Sequence, residues 1–404
     1  MDQEINKWLL LEQERQNNGI ELIASENFVS KEIRKLTGSI LTNKYAEGYP
    51  GKRYYGGCEC VDAIEQIAID RACKLFSCNF ANVQPHSGSQ ANAAAYRALL
   101  PRGGKILSLV LNDGGHLTHG SPVSFSSHLY KFAFYPLKDG HLDYDEVERI
   151  ALEYKPDLIL CGYSSYPYVI DFKRFKEIAD KVEACLMVDM AHIAGLVATN
   201  EHPSPFPYAD IVTSTTHKTL RGPRGGLILC NDSEIIKKVN SAIFPYYQGG
   251  PLEHVIAAKA VCFKEAMSDD FKRYIQQVKI NTKACSNRLK QLGVKVSGTD
   301  NHLFLINVLD SYSLTGKEAQ LALEEIGITT NKNMIPNDTL TPSKTSGLRI
   351  GFAAVTTRGC TKEQAESVAD IIHGFLSKAI DKDKALKMVK EVIKSWKLVQ
   401  EIGE

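Results

Sequence analysis

Three short stretches hold residues whose types and spacing could do chemistry. Segment 214–226 reads S-T-T-H-K-T-L-R-G-P-R-G-G, with Lys218 behind a run of hydroxyls and His217, and ahead of two arginines, a proline and three glycines. The apolar runs flanking it, D-I-V-T-S (210–214) and G-L-I-L-C (226–230), read as buried strands, so the lysine lies in a short loop between them. Desolvation or an ion pair there perturbs the amine's pKa, and such an amine can form a Schiff base; a structural pairing with a carboxylate is the plainer alternative. Upstream, A-C-L-M-V-D-M-A-H places Asp189 at the polar end of a third apolar run, with His192 three residues on. Alone, that carboxylate reads equally well as a helix cap. The third stretch, V-Q-P-H-S-G-S-Q-A-N-A-A-A-Y (83–96), sets Ser87-Gly88-Ser89 directly before an Ala-rich helical pattern. Hydroxyls and free N–H groups at a helix N-terminus seat an anion, although such residues are more often only a cap.

Together the three stretches fit one cofactor. Pyridoxal 5′-phosphate needs a lysine for its aldehyde, a carboxylate for its pyridinium nitrogen and a cup for its phosphate. A carboxylate in that place keeps the ring nitrogen protonated, and the ring then acts as an electron sink.

These residues sit where strands end, which shifts attention to the elements that position them. The runs 105–111, 157–161, 185–189, 210–214 and 226–230 read as buried strands, and helical patterns at 61–76, 89–99, 143–154 and 172–183 separate most of them. Continuous apolar strands alternating with helices predict an α/β fold whose mostly parallel central sheet is covered on both faces, with ligands at the carboxyl ends of the strands. Past about residue 270 the pattern becomes a smaller α+β unit. It comprises a long helix over roughly 252–292, strands at 302–308 and 347–352, and helices at 315–326 and 361–380. The division expected is a helical arm (1–17), a large cofactor-binding domain (18–270) and a small C-terminal domain (271–404).

Composition narrows the function classes. The chain has 404 residues, 44% hydrophobic and 24% charged, with a net charge of +1. That balance gives no electrostatic case for nucleic acid or an anionic membrane as partner, and no apolar run reaches the length of a membrane span. The ten cysteines include C-x-C (58, 60) and C-x4-C (73, 78) but no redox C-x-x-C, and several lie inside apolar strands as small hydrophobes. A cytoplasmic enzyme with reduced thiols and no metal is the expectation.

Longer motifs accompany the three stretches: E-L-I-A-S-E-N (21–27), N-K-Y-A-E-G-Y-P-G-K-R-Y-Y-G-G (43–57), G-G-H-L-T-H-G-S (114–121), Q-G-G-P (248–251) and N-K-N (331–333). In this order and spacing the chain resembles serine hydroxymethyltransferase of the bacterial type, a fold-type I pyridoxal-phosphate transferase. The resemblance runs from about residue 5 to about residue 380. It implies reversible transfer of the serine hydroxymethyl group to tetrahydrofolate, the co-substrate, giving glycine and 5,10-methylenetetrahydrofolate. Lys218 would hold the cofactor as a Schiff base and Asp189 would pair with the ring nitrogen. Ser87, Gly88 and Ser89 would bind the phosphate, with Gly250 arriving from a neighbouring subunit. His116 would stack on the ring, His192 and Ser164 would bond the region of its hydroxyl, and Arg224 would orient the lysine loop. Arg349, supported by Ser25 and Tyr55, would take the substrate carboxylate, and Glu47, with Tyr45 beside it, would move the proton at the serine hydroxyl. Thr215 and His217 would wall the site, with His217 influencing reaction specificity. Leu111 and Gly115-His116-Leu117 match the folate-contacting segment.

Because Tyr45, Glu47, Tyr55 and Gly249-Gly250 complete a neighbour's site in this family, the resemblance implies at least a homodimer, with a tetramer as a further assembly. The chain departs from the usual pattern at Tyr246-Tyr247, Ser343, Phe352, Arg221 and Asn112-Asp113. Most of these concern the folate side, so a folate-independent pyridoxal-phosphate aldolase or racemase acting on 3-hydroxy amino acids is the alternative reading. A non-catalytic paralogue would be expected to lose Lys218 or Arg349, and both are present.

Overall fold

A computed structural model describes residues 2–403 and divides the chain into two compact units. The first, residues 32–164 and 169–272, is built on a seven-stranded sheet. Its strands are β1 (Phe80–Asn82), β2 (Lys105–Leu109), β3 (Lys131–Tyr135), β4 (Leu158–Cys161), β5 (Cys185–Asp189), β6 (Ile211–Thr215) and β7 (Gly226–Cys230), in the order β1-β7-β6-β5-β4-β2-β3. Strands β6, β5, β4, β2 and β3 pair in parallel, whereas β7 runs antiparallel to both its neighbours. Every residue of β4, β6 and β7 is buried, which is why these strands are continuously apolar or small rather than alternating.

Helix Gly88–Leu99 lies on this sheet through Ala91, Ala94, Ala95 and Ala98, which share a core with Met187, Ile211 and Ile228. The small side chains let the helix axis approach the strands closely, and the Ser87 hydroxyl caps the helix by accepting from the Gln90 amide at 3.2 Å.

The second unit comprises residues through Lys31, 165–168 and 273 onward. Its sheet orders β8 (Leu303–Asn307), β10 (Gly347–Gly351) and β9 (Asn331–Asn333), all antiparallel, with β10 in the centre carrying Arg349. Helix Gly316–Glu324 packs against it, Lys362–Leu376 packs on that helix and Lys382–Ile393 on Lys362–Leu376, around a core that includes Phe304, Leu348 and Phe352.

Several sequence expectations are corrected. The helix expected over 252–292 is two, Glu253–Ala266 and Asp269–Gln291. Ser268 makes the break: its hydroxyl donates to the Glu265 carbonyl at 2.6 Å and accepts from the Phe271 amide at 3.2 Å, starting a new helix whose first turn carries Asp269 and Asp270. Residues 18–31, expected in the large domain, belong to the second unit, because Ile20-Glu21 pair in parallel with Ile328-Thr329 and Ile20 and Leu22 enter that unit's core. The arm expected over 1–17 is helix Gln3–Asn18, capped by Asp2, and Ile5, Trp8, Leu9 and Leu10 on it are exposed. Strands β1 and β3 and the helix Lys382–Ile393 were not expected from the periodicity.

Candidate active site

A cavity of ≈ 200 Å³ opens where the parallel strands end. Past β4 come Gly162, Tyr163 and Ser164; β5 ends on Asp189, with Ala191 and His192 beyond it; β6 ends on Thr215, with His217 and Lys218 beyond it. The start of helix Gly88–Leu99 contributes Ser87, Gly88, Ser89 and Asn92, and a turn contributes His116 and His119. The site thus gathers most of the cofactor residues proposed from the sequence.

Asp189 is heavily partnered. One oxygen accepts from the Asn92 amide at 2.9 Å and lies 3.1 Å from His119 Nε2; the other accepts from the Ala191 backbone N–H at 3.1 Å. Burial alone would push this carboxyl up. The hydrogen bond from His119, with the charge of Lys218 behind it, holds it well below the usual carboxylate range. The backbone N–H of His116 points at His119 Nδ1 at 3.4 Å, which leaves the proton on Nε2, facing Asp189. Asn92 is itself oriented: Thr213 donates to its oxygen at 2.6 Å, and its amide also reaches the Thr118 hydroxyl at 2.8 Å.

Lys218 is 9% exposed in a loop whose shape is fixed by its own backbone. The Gly222 amide donates to the Thr216 carbonyl at 2.7 Å, the Thr216 amide to the Gly225 carbonyl at 3.1 Å, and the Thr216 hydroxyl to the Pro223 carbonyl at 2.5 Å. Thr219 ties this loop to the one after β5 by donating to the His192 carbonyl at 2.8 Å. Arg221 adopts φ +58°, and its guanidinium lies 5.2 Å from the Phe271 ring centroid, so the unusual cation stacks on an aromatic face.

The two histidines beside the lysine are held neutral. Burial, then the charges of Lys218 and Arg224, lower His217 to about 3. Burial and His119 lower His116 to about 4, and its Nδ1 sits 2.7 Å from the Thr118 hydroxyl.

The whole site follows one pattern: a lysine, an anionic carboxylate and a helix N-terminus at one strand-end cavity. The family model for serine hydroxymethyltransferase matches residues 1–372. The chain belongs to the serine hydroxymethyltransferase family.

Members of the serine hydroxymethyltransferase family are pyridoxal-phosphate-dependent transferases of fold-type I, and the cavity can be tested for that group. Thr215 Oγ1 and His217 Nδ1 are buried, line the cavity and have no hydrogen-bond partner among the described residues, so polar groups stand ready for a polar guest. A Cβ on Gly88 would come 2.6 Å from Thr215 Cγ2, which keeps the serine cup bare. An anionic carboxylate deep in the same cavity suits a protonated ring nitrogen. The residues fit the group.

Other family-matched residues lie outside this cavity. Tyr45, Glu47, Tyr55, Gly249 and Gly250 form a cluster of their own: the Tyr45 hydroxyl is 3.4 Å from Glu47 Oε1, the Tyr45 and Tyr55 rings meet edge-on at 5.1 Å, and a Cβ on Gly249 or Gly250 would come 3.1 Å from Glu47 or Tyr45. Leu111 and Leu117 flank a glycine turn, with Leu117 exposed, and Gly115 is buried at that turn. Arg224 is exposed and acts on His217 by charge. Arg349 and Ser25 belong to the second unit, where Arg349 Nε donates to Asn331 Oδ1 at 3.2 Å and Nη2 to the Ser25 hydroxyl at 3.4 Å.

Of the residues that depart from the family pattern, Phe352 is a core side chain of the second unit, Ser343 is an exposed hydroxyl bonded to Thr341, and Asp113 accepts from the Leu137 amide at 2.8 Å. Tyr246 stacks on Arg97 at 4.9 Å and edge-on against Tyr247. Sequence reasoning missed His119, Asn92, Thr118 and Thr213. His119 could have been found, since it is the second histidine of G-G-H-L-T-H-G, and Asn92 is the lone polar residue in an alanine run.

Proposed function

We propose that the protein catalyses the reversible transfer of serine's hydroxymethyl group to tetrahydrofolate, giving glycine and 5,10-methylenetetrahydrofolate. The observation that carries this reading is Asp189, held anionic by His119 and Asn92 in the cavity that also holds Lys218 and the serine cup. Pyridoxal phosphate, when bound, supplies the electron sink that stabilises charge at the amino-acid α-carbon. Lys218 would hold its aldehyde covalently, Asp189 would keep its ring nitrogen protonated, and Ser87, Gly88 and Ser89 would cradle its phosphate at the helix N-terminus. His116 would lie against the ring, His192 and Ser164 would take its hydroxyl side, and Arg224 would steady the lysine loop. His217, neutral at physiological pH, serves with Thr215 as a hydrogen-bonding wall rather than as an acid.

Arg349, buried and braced by Asn331 and Ser25, grips the substrate carboxylate with its planar fork. Glu47 takes the proton of the serine hydroxyl as the hydroxymethyl carbon leaves, with Tyr45 and Tyr55 beside it. Leu111 and the segment Gly115-Leu117 border the folate. None of Tyr45, Glu47, Tyr55 and Gly250 lines the lysine cavity of its own chain, which supports a homodimer in which each chain completes the other's site.

Glycine formation from serine by the cofactor-loaded protein, with and without tetrahydrofolate, tests the proposal. Turnover is expected to depend on tetrahydrofolate and to vanish in Lys218→Ala. Equal glycine formation without folate would instead select cleavage of 3-hydroxy amino acids as the reaction.

A further inference from the structure

Lys259 is a lysine with no assigned role and an unusual setting. It projects from helix Glu253–Ala266, is 1% exposed, and its three nearest partners are all main-chain carbonyls: Val83 at 2.6 Å, Pro85 at 3.0 Å and Gly226 at 2.8 Å. Burial lowers this amine to about 7, but three carbonyl acceptors match the three N–H donors of the ammonium, which a neutral amine with two could not satisfy.

The acceptors come from two different stretches. Val83 and Pro85 end the segment that leads from β1 into Ser87-Gly88-Ser89. Gly226 opens β7 and closes the loop that carries Lys218. The two stretches already touch: the Gly226 amide donates to the Pro85 carbonyl at 2.9 Å, and a Cβ on Gly226 would collide with the Ser87 carbonyl. A Cβ on Gly225 would strike Lys259 Cε and lie 2.9 Å from its Nζ, so this glycine of the lysine loop is what admits the ammonium. Gln248 grips the first stretch separately, donating to the Gln84 carbonyl at 3.0 Å and accepting from the His86 amide at 3.0 Å.

We infer that Lys259 is a positioning residue whose ammonium ties the anion cup to the lysine loop, setting the spacing between the two points at which the cofactor is held. Resting as it does on the cofactor assignment above, the inference predicts a specific pattern. A ligand that uses both points feels the loss of the strut, and a ligand that uses either one alone feels it far less. A purely structural role would instead weaken all ligands together.

The test titrates apoprotein of the wild type and of Lys259→Met with three compounds. These are pyridoxal 5′-phosphate, pyridoxal (aldehyde without phosphate) and pyridoxamine 5′-phosphate (phosphate without aldehyde). Lys259→Met is expected to weaken pyridoxal 5′-phosphate by about tenfold or more, the scale of lost charge-assisted hydrogen bonds, and each partial ligand by no more than about threefold. Lys259→Gln, which keeps two donors and is the gentler change for folding, is expected to show the same pattern at smaller size. Equal weakening of all three compounds, or unchanged binding of pyridoxal 5′-phosphate, overturns the inference. Failure of the wild type to bind pyridoxal 5′-phosphate would be a separate result, directed against the cofactor assignment itself.

Discussion

At the scale of single residues, the site depends on one ion staying charged where burial opposes it. Asp189 is surrounded by groups that favour its anion, and His119 contributes most of that pull through its hydrogen bond. His119→Ala should therefore let the carboxylate drift toward its neutral form and weaken pyridoxal-phosphate binding by about tenfold, the size expected for a charge-assisted hydrogen bond. Lys218 would still react with the aldehyde, so the variant's absorbance band should persist while its dissociation constant rises. Unchanged affinity in equilibrium titration would show that His119 is not what holds Asp189. Lys218 and Asp189 were legible in the sequence because each stands at the polar end of an apolar run. Their supports were not legible: the bonds from Thr213 to Asn92 and from Asn92 to Asp189 join residues 121 and 97 positions apart, and no local pattern encodes such a contact.

At the scale of elements, the segment carrying Glu47 is anchored by a buried charge cluster between helices Glu59–Phe76 and Glu253–Ala266. Arg53 donates to Glu65 at 2.7 Å, to Asp62 at 2.8 Å, and to the carbonyls of Ala46 and Gly48 at 2.9 and 3.0 Å. Glu253 lies 3.5 Å from the same guanidinium, yet neither of its buried oxygens has a hydrogen-bond partner among the described residues. Burial, with Glu65 next to it, pushes its pKa up to about 8. Raised in the folded state, this group contributes stability that is fully present below its unfolded pKa near 4.5 and is lost as pH rises through about 8. Glu253→Gln removes that loss. Chemical denaturation should find the variant more stable than wild type at pH 9, by on the order of 1–3 kcal/mol, with the advantage shrinking toward pH 5. A constant difference across that range would refute the assignment of a raised pKa. Element types were readable from periodicity in the buried strands β4 to β7, whose composition is uniform. The short β1 and the half-exposed β3 lack that signal, and the break at Ser268 is decided by two local hydrogen bonds within one continuous helical pattern.

At the scale of the whole molecule, the account requires two chains. Glu47 belongs to a cluster outside its own chain's lysine cavity, so a site would draw Lys218 from one subunit and Glu47 from the other. Lys218→Ala and Glu47→Ala proteins, each inactive alone, should regain about a quarter of wild-type activity when co-refolded, because half the dimers are mixed and each mixed dimer has one intact site. No recovery would place both residues in the same chain's site. The family and the fold were readable from motifs alone, whereas the grouping of residues 18–31 with the second unit was not, since it follows from a two-residue strand pairing 308 positions apart.

The central claim is that one carbon passes from serine to a folate. Serine labelled at its hydroxymethyl carbon, incubated with the cofactor-loaded protein and tetrahydrofolate, measures this most directly. The account predicts the label in 5,10-methylenetetrahydrofolate with unlabelled glycine formed in equal amount. Label retained in serine, or released as free formaldehyde at a rate indifferent to tetrahydrofolate, would contradict it.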